Sequence, residues 1–377
     1  MLMIGNQGEI QCPGDLVRKL LSEKGWTQED LARVIDRSRQ SISDIISSRS
    51  GITPETAIAL AAAFGNSPME WWQLEGEFRI SQLQSPATEI EKRTSILEIA
   101  PIKEMQKRGW LSQHKDIGDL ENELKLFFGT DDLESDFDIQ VSYRRTIKQS
   151  QINKAEKAWT VRAIQLAKQL PVPQFQENKL DVLQKTLRNL AAKSKAVHRV
   201  PSLLFDYGIR YVVVEPLTNV KIDGAALWLD EKSPVIAMSL RTDNIGSFWF
   251  TLMHEFMHIK YRDAFSIDLN MDETEGALDE SEQRANQEAA EILIPQIELK
   301  SFIGRVSPYF SELRINNLAT RLKIHPGIIV GQLQKRRAIG YNTHHKLMAK
   351  VRDLTTETAF TDGWGRPVPK IKLEKEY

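Results

Sequence analysis

From about Gly14 to Glu75 the apolar positions recur at helical spacing in five short blocks. Leu16, Val17, Leu20 and Leu21 line one face of the first. Thr27 is the expected cap of the second, with Asp30 at its third position and Trp26 and Leu31 placed as a hydrophobic staple. Ala32, Val34 and Ile35 continue that stripe. After the turn Asp36-Arg37, Ser38 opens a third helix whose buried face is Ile42, Ile45 and Ile46. Thr53-Pro54-Glu55 starts a fourth, which Gly65 closes, and Ser67-Pro68 starts a fifth.

Between about Ser81 and Arg199 the segments Glu91–Gln106, Ile117–Phe128, Lys154–Gln169 and Leu180–Lys195 read as helices, interrupted by Pro171-Val172-Pro173. The period then shortens. Ile209–Glu215, Ala225–Asp230 and Pro234–Leu240 are rich in Val, Ile, Trp and Leu and bounded by turn residues, which predicts three strands of a small sheet. A strongly apolar helix, Asn244–Tyr261, comes next. An acidic loop, Asp263–Asp279, separates it from a helix at Glu280–Leu293 that Pro295 ends. Two or three more helices fill residues 297–355, and the tail from Thr356 is polar and expected to be loose.

At 377 residues the chain exceeds one ordinary domain. Its formal net charge of -1 gives no overall field toward nucleic acid, so any DNA contact depends on local placement. The single cysteine, Cys12, excludes an internal disulfide and fits a reducing compartment. The first residues lack the basic-then-apolar pattern of a secretory signal, and the apolar runs near Ala57–Phe64 and Phe248–Met253 are too short to span a bilayer. The expectation is a cytoplasmic protein with no membrane association.

His254-Glu255-Phe256-Met257-His258 is an H-E-x-x-H pattern. On a helix, residues four apart share a face, so both imidazoles can reach one ion. Flanking Phe248, Phe250, Leu252, Met253, Phe256, Met257 and Ile259 indicate burial, and buried histidines and a glutamate need partners that a metal supplies. A catalytic zinc takes three protein ligands and keeps one open position. Tyr261 and Ala264 exclude the short metzincin extension, so the third ligand lies elsewhere. Within Glu280–Leu293, helical phase puts Glu282, Ala285, Asn286, Ala289 and Leu293 on one small apolar face and turns Glu288 and Glu291 away. Glu282 is therefore the expected third ligand, and Asn286 is placed to hydrogen-bond a zinc-bound histidine. Glu255 is the expected general base for amide hydrolysis. Tyr261, Arg241 and His344 are candidates for stabilising the oxyanion.

In the N-terminal region a helix, a tight turn and a second helix with Gln and Ser near its start form the arrangement that enters a major groove. Gln40 and Arg39 are the expected base readers, Ser43 and Ser47 share their exposed face with Asp44, and Gln28 is placed to hold a phosphate. Residues 1–75 nevertheless carry seven Lys/Arg against ten Asp/Glu, a weak footprint for DNA. Operator-binding modules pair on two half-sites, so a homodimer is expected, with Trp71 and Trp72 as candidates for its interface.

Residues 14–75, with TQEDLA, SRQSIS, ITPETA and SPMEWW, resemble the HigA-type branch of Xre-family antitoxins. Residues 200–300, with KIDGAALWL, SLRTDNIGSFWFTLMHEFMH and EQRANQEAAEILIP, resemble the ImmA/IrrE family of zinc metallopeptidases. PIKEMQKRGWL and LKIHPGIIVGQLQKR are similar to stretches of proteins that fuse the two. The resemblance implies zinc (Zn2+) ligands at His254, His258 and Glu282 and a general base at Glu255. One departure is Glu288, where relatives commonly carry Phe. The implied fold is mainly α with a small α+β domain of gluzincin-like type. Its expected parts are a helix-turn-helix domain (1–80), a helical connector (81–200), a metallopeptidase core with a three-stranded sheet (201–300) and a C-terminal helical region and tail (301–377). The implied function is an antitoxin-like regulator of a toxin–antitoxin or stress-response operon. It would bind operator DNA and cleave a partner protein, a cognate toxin or regulator. The alternatives are a non-catalytic repressor and toxin neutraliser with a structural or vestigial zinc site, and a protease whose N-terminal helices only dock substrate.

Overall fold

Capping chemistry sets the limits of the N-terminal helices in the computed structural model, which describes residues 12–82, 87–133, 153–263, 266–269 and 280–366. The helices are α1 (Pro13–Lys24), α2 (Gln28–Val34), α3 (Arg39–Ile46), α4 (Pro54–Phe64) and α5 (Pro68–Gln82). Asp30 N–H donates to Thr27 Oγ1 at 3.2 Å and Thr27 N–H to the Asp30 carboxylate at 2.8 Å, closing the capping box expected at α2. Ser38 caps α3 and Thr53 caps α4, while Gly25 and Gly65 end α1 and α4 in the left-handed conformation. The faces these caps orient bury Val17, Leu21, Leu31, Ile42, Ile45, Leu60 and Trp71 in one core. Trp71 is fully buried and its indole donates to Asn66 Oδ1 at 2.8 Å, so of the two tryptophans offered for a dimer interface only Trp72 is exposed.

The chain divides into two compact units, Met1–Lys92 and Arg93–Tyr377, and α6 (Ala87–Ile99) crosses the division. The expected helix Glu91–Gln106 is two helices, α6 and α7 (Ile102–Lys107), because Pro101 breaks the run. The second unit continues with α8 (Ile117–Phe128), α9 (Lys154–Lys168), α10 (Leu180–Leu190), α11 (Val200–Asp206), β1 (Arg210–Val214), β2 (Ile222–Trp228), β3 (Pro234–Met238), α12 (Ile245–Lys260) and β4 (Ser266–Leu269). It closes with α13 (Glu280–Leu293), α14 (Gln296–Val306), α15 (Glu312–Leu322), α16 (Pro326–Lys335), α17 (Arg352–Thr356) and β5 (Phe360–Asp362).

The sheet has five strands in the order β4-β2-β3-β1-β5, with β1 parallel to β3 and β5, and β2 antiparallel to β3 and β4. The three predicted strands are its centre. Two edges add to them, and β5 comes from the tail that polarity alone marked as loose: Val212 to Val214 pair with Phe360 to Asp362. Both faces are covered, which is why β1 and β3 read as nearly continuous apolar runs. Tyr211, Val213, Ile236 and Met238 face the core that contains α12, whereas Val212, Val214, Val235 and Ala237 face a second core with α8 and α9. Residues 153–168, expected as connector, therefore supply one layer of this unit. Ala158, Trp159, Ala163, Leu166 and Ala167 of α9 are fully buried, and the Trp159 indole donates to the Val214 carbonyl at 2.9 Å. Among the described residues no helix is long and apolar enough to cross a membrane.

Candidate metal centre and nucleic-acid interface

Asn244 caps α12 by accepting the Ser247 N–H at 2.8 Å, and this fixes the phase of the helix that follows. Asp243, just before it, accepts the N–H groups of Val351 and Arg352 at 2.9 and 2.8 Å and so ties α17 to the same end. With that phase Thr251 and Glu255 face β2, while His254 and His258 face α13. His254, Glu255 and His258 are all fully buried.

The two Nε2 atoms lie 3.0 Å apart. Glu282 reaches them from α13, with Oε2 at 3.2 Å from His254 Nε2 and Oε1 at 3.3 Å from His258 Nε2. These three side chains form a donor set able to hold one cation. Ligands at about 2.0–2.1 Å in tetrahedral zinc stand about 3.3 Å apart, so the separations of the donor atoms fit that ion closely. Ala285, Ala289 and Leu293 are buried on α13, and their small side chains let it approach α12. Glu282 retains 23% side-chain exposure, so the cluster meets solvent on the α13 side.

The chain end of α12 adds a residue that the sequence pattern does not single out. Arg262 turns left-handed at φ 52°, its N–H donates to the Ile259 carbonyl, and the Asp263 N–H donates to the His258 carbonyl at 2.9 Å. This reversal brings Asp263 Oδ2 to 3.0 Å from His258 Nδ1. A carboxylate on the remote ring nitrogen selects the tautomer that presents Nε2 to a metal. Arg284 of α13 holds the other Asp263 oxygen at 2.6 Å. Asn286, expected to bond a histidine, is half-buried one turn beyond Glu282, and for His258 that place is taken by Asp263. Asp263→Asn is expected to weaken the cluster's affinity for added Zn2+, used as the probe ion, by about 10- to 100-fold with little change in fold, measured by competition with a chromophoric chelator.

Two of the oxyanion candidates are engaged elsewhere. Arg241 binds Asp223 through two bonds of 3.1 Å. The Tyr261 hydroxyl donates to both oxygens of Glu288 at 2.6 and 2.7 Å, a contact that pushes its pKa up to about 12 and keeps it a donor. Glu288 thus has a partner, and Arg284 lies over the Tyr261 ring at 4.4 Å. His344 begins the short 3-10 turn His345–Leu347, which packs on α16.

Gly224 sets the position of Glu255. A Cβ there would stand 2.6 Å from Thr251 Cγ2 and 2.8 Å from Glu255 Oε1, so the β2 backbone lies directly against the face of α12 that carries Glu255. Gly224→Ala is expected to cost about 1–3 kcal/mol through overpacking and to displace Glu255. Thermal unfolding checks this, and Thr251→Ser in the same background is expected to restore part of the loss.

In the first unit, Ile42, Ile45 and Ile46 are buried as the pattern predicts, and Arg39 and Gln40 are exposed on the opposite side of α3. Gln40 Nε2 donates to Asp44 Oδ1 at 2.9 Å, and Arg49 approaches the same carboxylate at 3.5 Å. The acid that weakens this face for phosphate is thereby partly neutralised. Ser47 ends α3 and its hydroxyl donates to the Ser43 carbonyl at 2.8 Å, while Gln28 is half-buried at the first position of α2. Asp36 takes the left-handed conformation in the turn between α2 and α3. Arg49 was not evident from the sequence; its signal is the lone cation directly after α3.

Residues 17–72 match the helix-turn-helix family, and residues 207–334 match the IrrE N-terminal-like domain of the M78 peptidases, which are typically metal-dependent. The chain is 26% identical over 72 residues to YddM, an HTH-type transcriptional regulator of Escherichia coli (strain K12); the match covers 19% of this chain and 77% of that protein. It is 33% identical over 72 residues to virulence-associated protein A' of Dichelobacter nodosus, again 19% of this chain, and spans 63% of that relative's length. The chain therefore joins a DNA-binding, HTH-type transcriptional regulator domain at residues 17–72 to an M78 peptidase-like domain at residues 207–334.

Proposed function

We propose that this chain is a regulator of a toxin–antitoxin or stress-response operon, antitoxin-like in the HigA manner, and that its second unit is a zinc-dependent endopeptidase. Its substrate is a peptide bond in a partner protein, the cognate toxin or another regulator, and it acts in the cytoplasm as a homodimer on operator DNA. The observation that carries the peptidase reading is the convergence of His254, His258 and Glu282 within 3.3 Å, with Glu255 on the same helix between the two imidazoles.

In this reading His254, His258 and Glu282 hold the ion, and Asp263 and Asn286 orient the ligands. Zinc, when bound there, supplies the Lewis acidity that makes water a nucleophile near neutral pH. Glu255, buried and held against β2 by the absence of a side chain at Gly224, takes the proton from the attacking water and returns it to the leaving amine. Cleavage of a co-purified partner by the wild-type chain, but not by the Glu255→Gln chain, tests this assignment.

On the DNA side, Arg39 and Gln40 read base edges, Ser43 and Ser47 contact the backbone beside them, and Gln28 holds a phosphate. Gln40 exchanges its bond to Asp44 for an adenine edge, and Arg49 keeps Asp44 neutralised. Arg39→Ala combined with Gln40→Ala removes two contacts worth about 1–3 kcal/mol each. A loss of at least ~30-fold in affinity for the chain's own promoter is expected in gel-shift titrations, with zinc content unchanged. Undiminished promoter binding would remove α3 from the groove.

A further inference from the structure

A cavity of about 630 Å³ opens at the carboxyl ends of the parallel strands β1 and β5 and shares no residue with the His254, His258 and Glu282 cluster. Crevices outside the carboxyl ends of parallel strands are where open α/β sheets commonly bind ligands, and this volume falls within the range of small-molecule sites. One wall is α7. The other is formed by the segment after β1 and by the loop after β5, where Gly363 at φ 132° passes so close to Glu215 that a Cβ would stand 2.2 Å from Glu215 Cβ. No other residue fits that passage, so the walls are held at a fixed spacing.

The three acids that line the cavity are engaged by the fold. Glu104 accepts the Thr218 N–H with both oxygens at 3.0 Å and pairs with Arg108 at 3.3 Å. Glu215 accepts the Trp364 N–H at 2.6 Å. Asp362 holds Arg162 at 2.5 Å and the Trp110 indole at 3.0 Å. Arg108 is engaged as well, since it donates to the carbonyls of Glu215 and Pro216 at 2.6 and 2.7 Å and so joins the two walls. Lys103 and Lys107, one turn apart on α7, and Arg366 on the other wall complete the set of charges. None of these three forms an ion pair among the described residues. Trp364, half-buried, packs on the core that contains α12 with Arg352 over its ring at 5.3 Å, and the remainder of its indole lines the cavity.

We propose that this cavity binds a small phosphorylated molecule, its phosphate held by Lys103, Lys107 and Arg366 and the rest of its body placed against Trp364. Among the described residues the acids lining the cavity are all engaged, and three cations without ion pairs suit a group that carries close to two negative charges at neutral pH, as a phosphate monoester does and a single carboxylate does not. The volume exceeds what phosphate alone occupies, which leaves room for a ring or sugar beside the indole.

Isothermal titration of the full chain with adenosine 5′-monophosphate, inorganic phosphate, adenosine and citrate tests the proposal. The monophosphate is expected to bind more tightly than phosphate alone, and adenosine is expected not to bind. Lys103→Gln combined with Lys107→Gln is expected to weaken the monophosphate at least tenfold while the melting temperature of the ligand-free protein is retained, because both lysines are exposed. Arg366→Gln gives an independent variant on the opposite wall, with the same expected loss. The proposal is overturned if neither phosphate compound binds at millimolar concentration, if the variants bind as wild type does, or if citrate matches the monophosphate.

Discussion

Glu255→Gln is expected to slow cleavage of the partner protein by about 10²- to 10⁴-fold, the usual contribution of a positioned general base, while zinc content and melting temperature stay at wild-type values. The reason is local. Glu255 is fully buried, lies one helical turn from Thr251 on the face packed against β2, and has the backbone of Gly224 behind it. Glutamine has the same shape and keeps that packing, but it cannot take a proton from water. Single-turnover cleavage together with metal analysis separates the possibilities. If hydrolysis and zinc disappear together, Glu255 supports the site rather than the reaction; if hydrolysis is unchanged, it has no part in either.

Glu282→Ala is expected to weaken zinc binding by more than the roughly 100-fold that marks the upper range for a residue behind a ligand. Glu282 supplies the only carboxylate within 3.3 Å of both Nε2 atoms in the described structure. Its removal leaves two imidazoles 3.0 Å apart with no anionic donor between them. Since Glu282 is partly exposed and Ala285 and Ala289 already make the close contact of α13 with α12, the alanine variant should fold. Chelator competition that placed this variant at or above the Asp263→Asn value would reverse the assignment of inner and outer residues.

The site was more legible than the sheet. His254, His258 and Glu282 could be placed because a helix repeats every 3.6 residues and α12 and α13 are long enough for the phase to persist. Asp263 could not, because its position depends on Arg262 taking a left-handed turn, and arginine carries no signal for that conformation. Contacts from Glu177, at 2.5 Å on two atoms, and from Trp228 hold Arg262 there, and both arrive from distant sequence. The edge strand β5 escaped notice for a similar reason. Phe360 to Asp362 are too few to show an alternating pattern, and only pairing with β1 makes them a strand. The break at Pro101 was missed, because the apolar spacing of Glu91–Gln106 runs through it and outweighed the signal of a residue that disfavours helix continuation. At the N-terminus caps and turns lie within a few residues of the helices they limit, so Thr27, Ser38, Thr53 and Gly65 mark their boundaries without tertiary help.

X-ray absorption at the zinc edge of the purified full chain tests the central claim most directly. The account predicts about one zinc per chain, with imidazole nitrogen and carboxylate oxygen neighbours at about 2.0–2.1 Å and an imidazole signature that disappears in His254→Ala. A shell with sulfur at about 2.3 Å, a shell of oxygen alone, or zinc content unaltered by His254→Ala would contradict it.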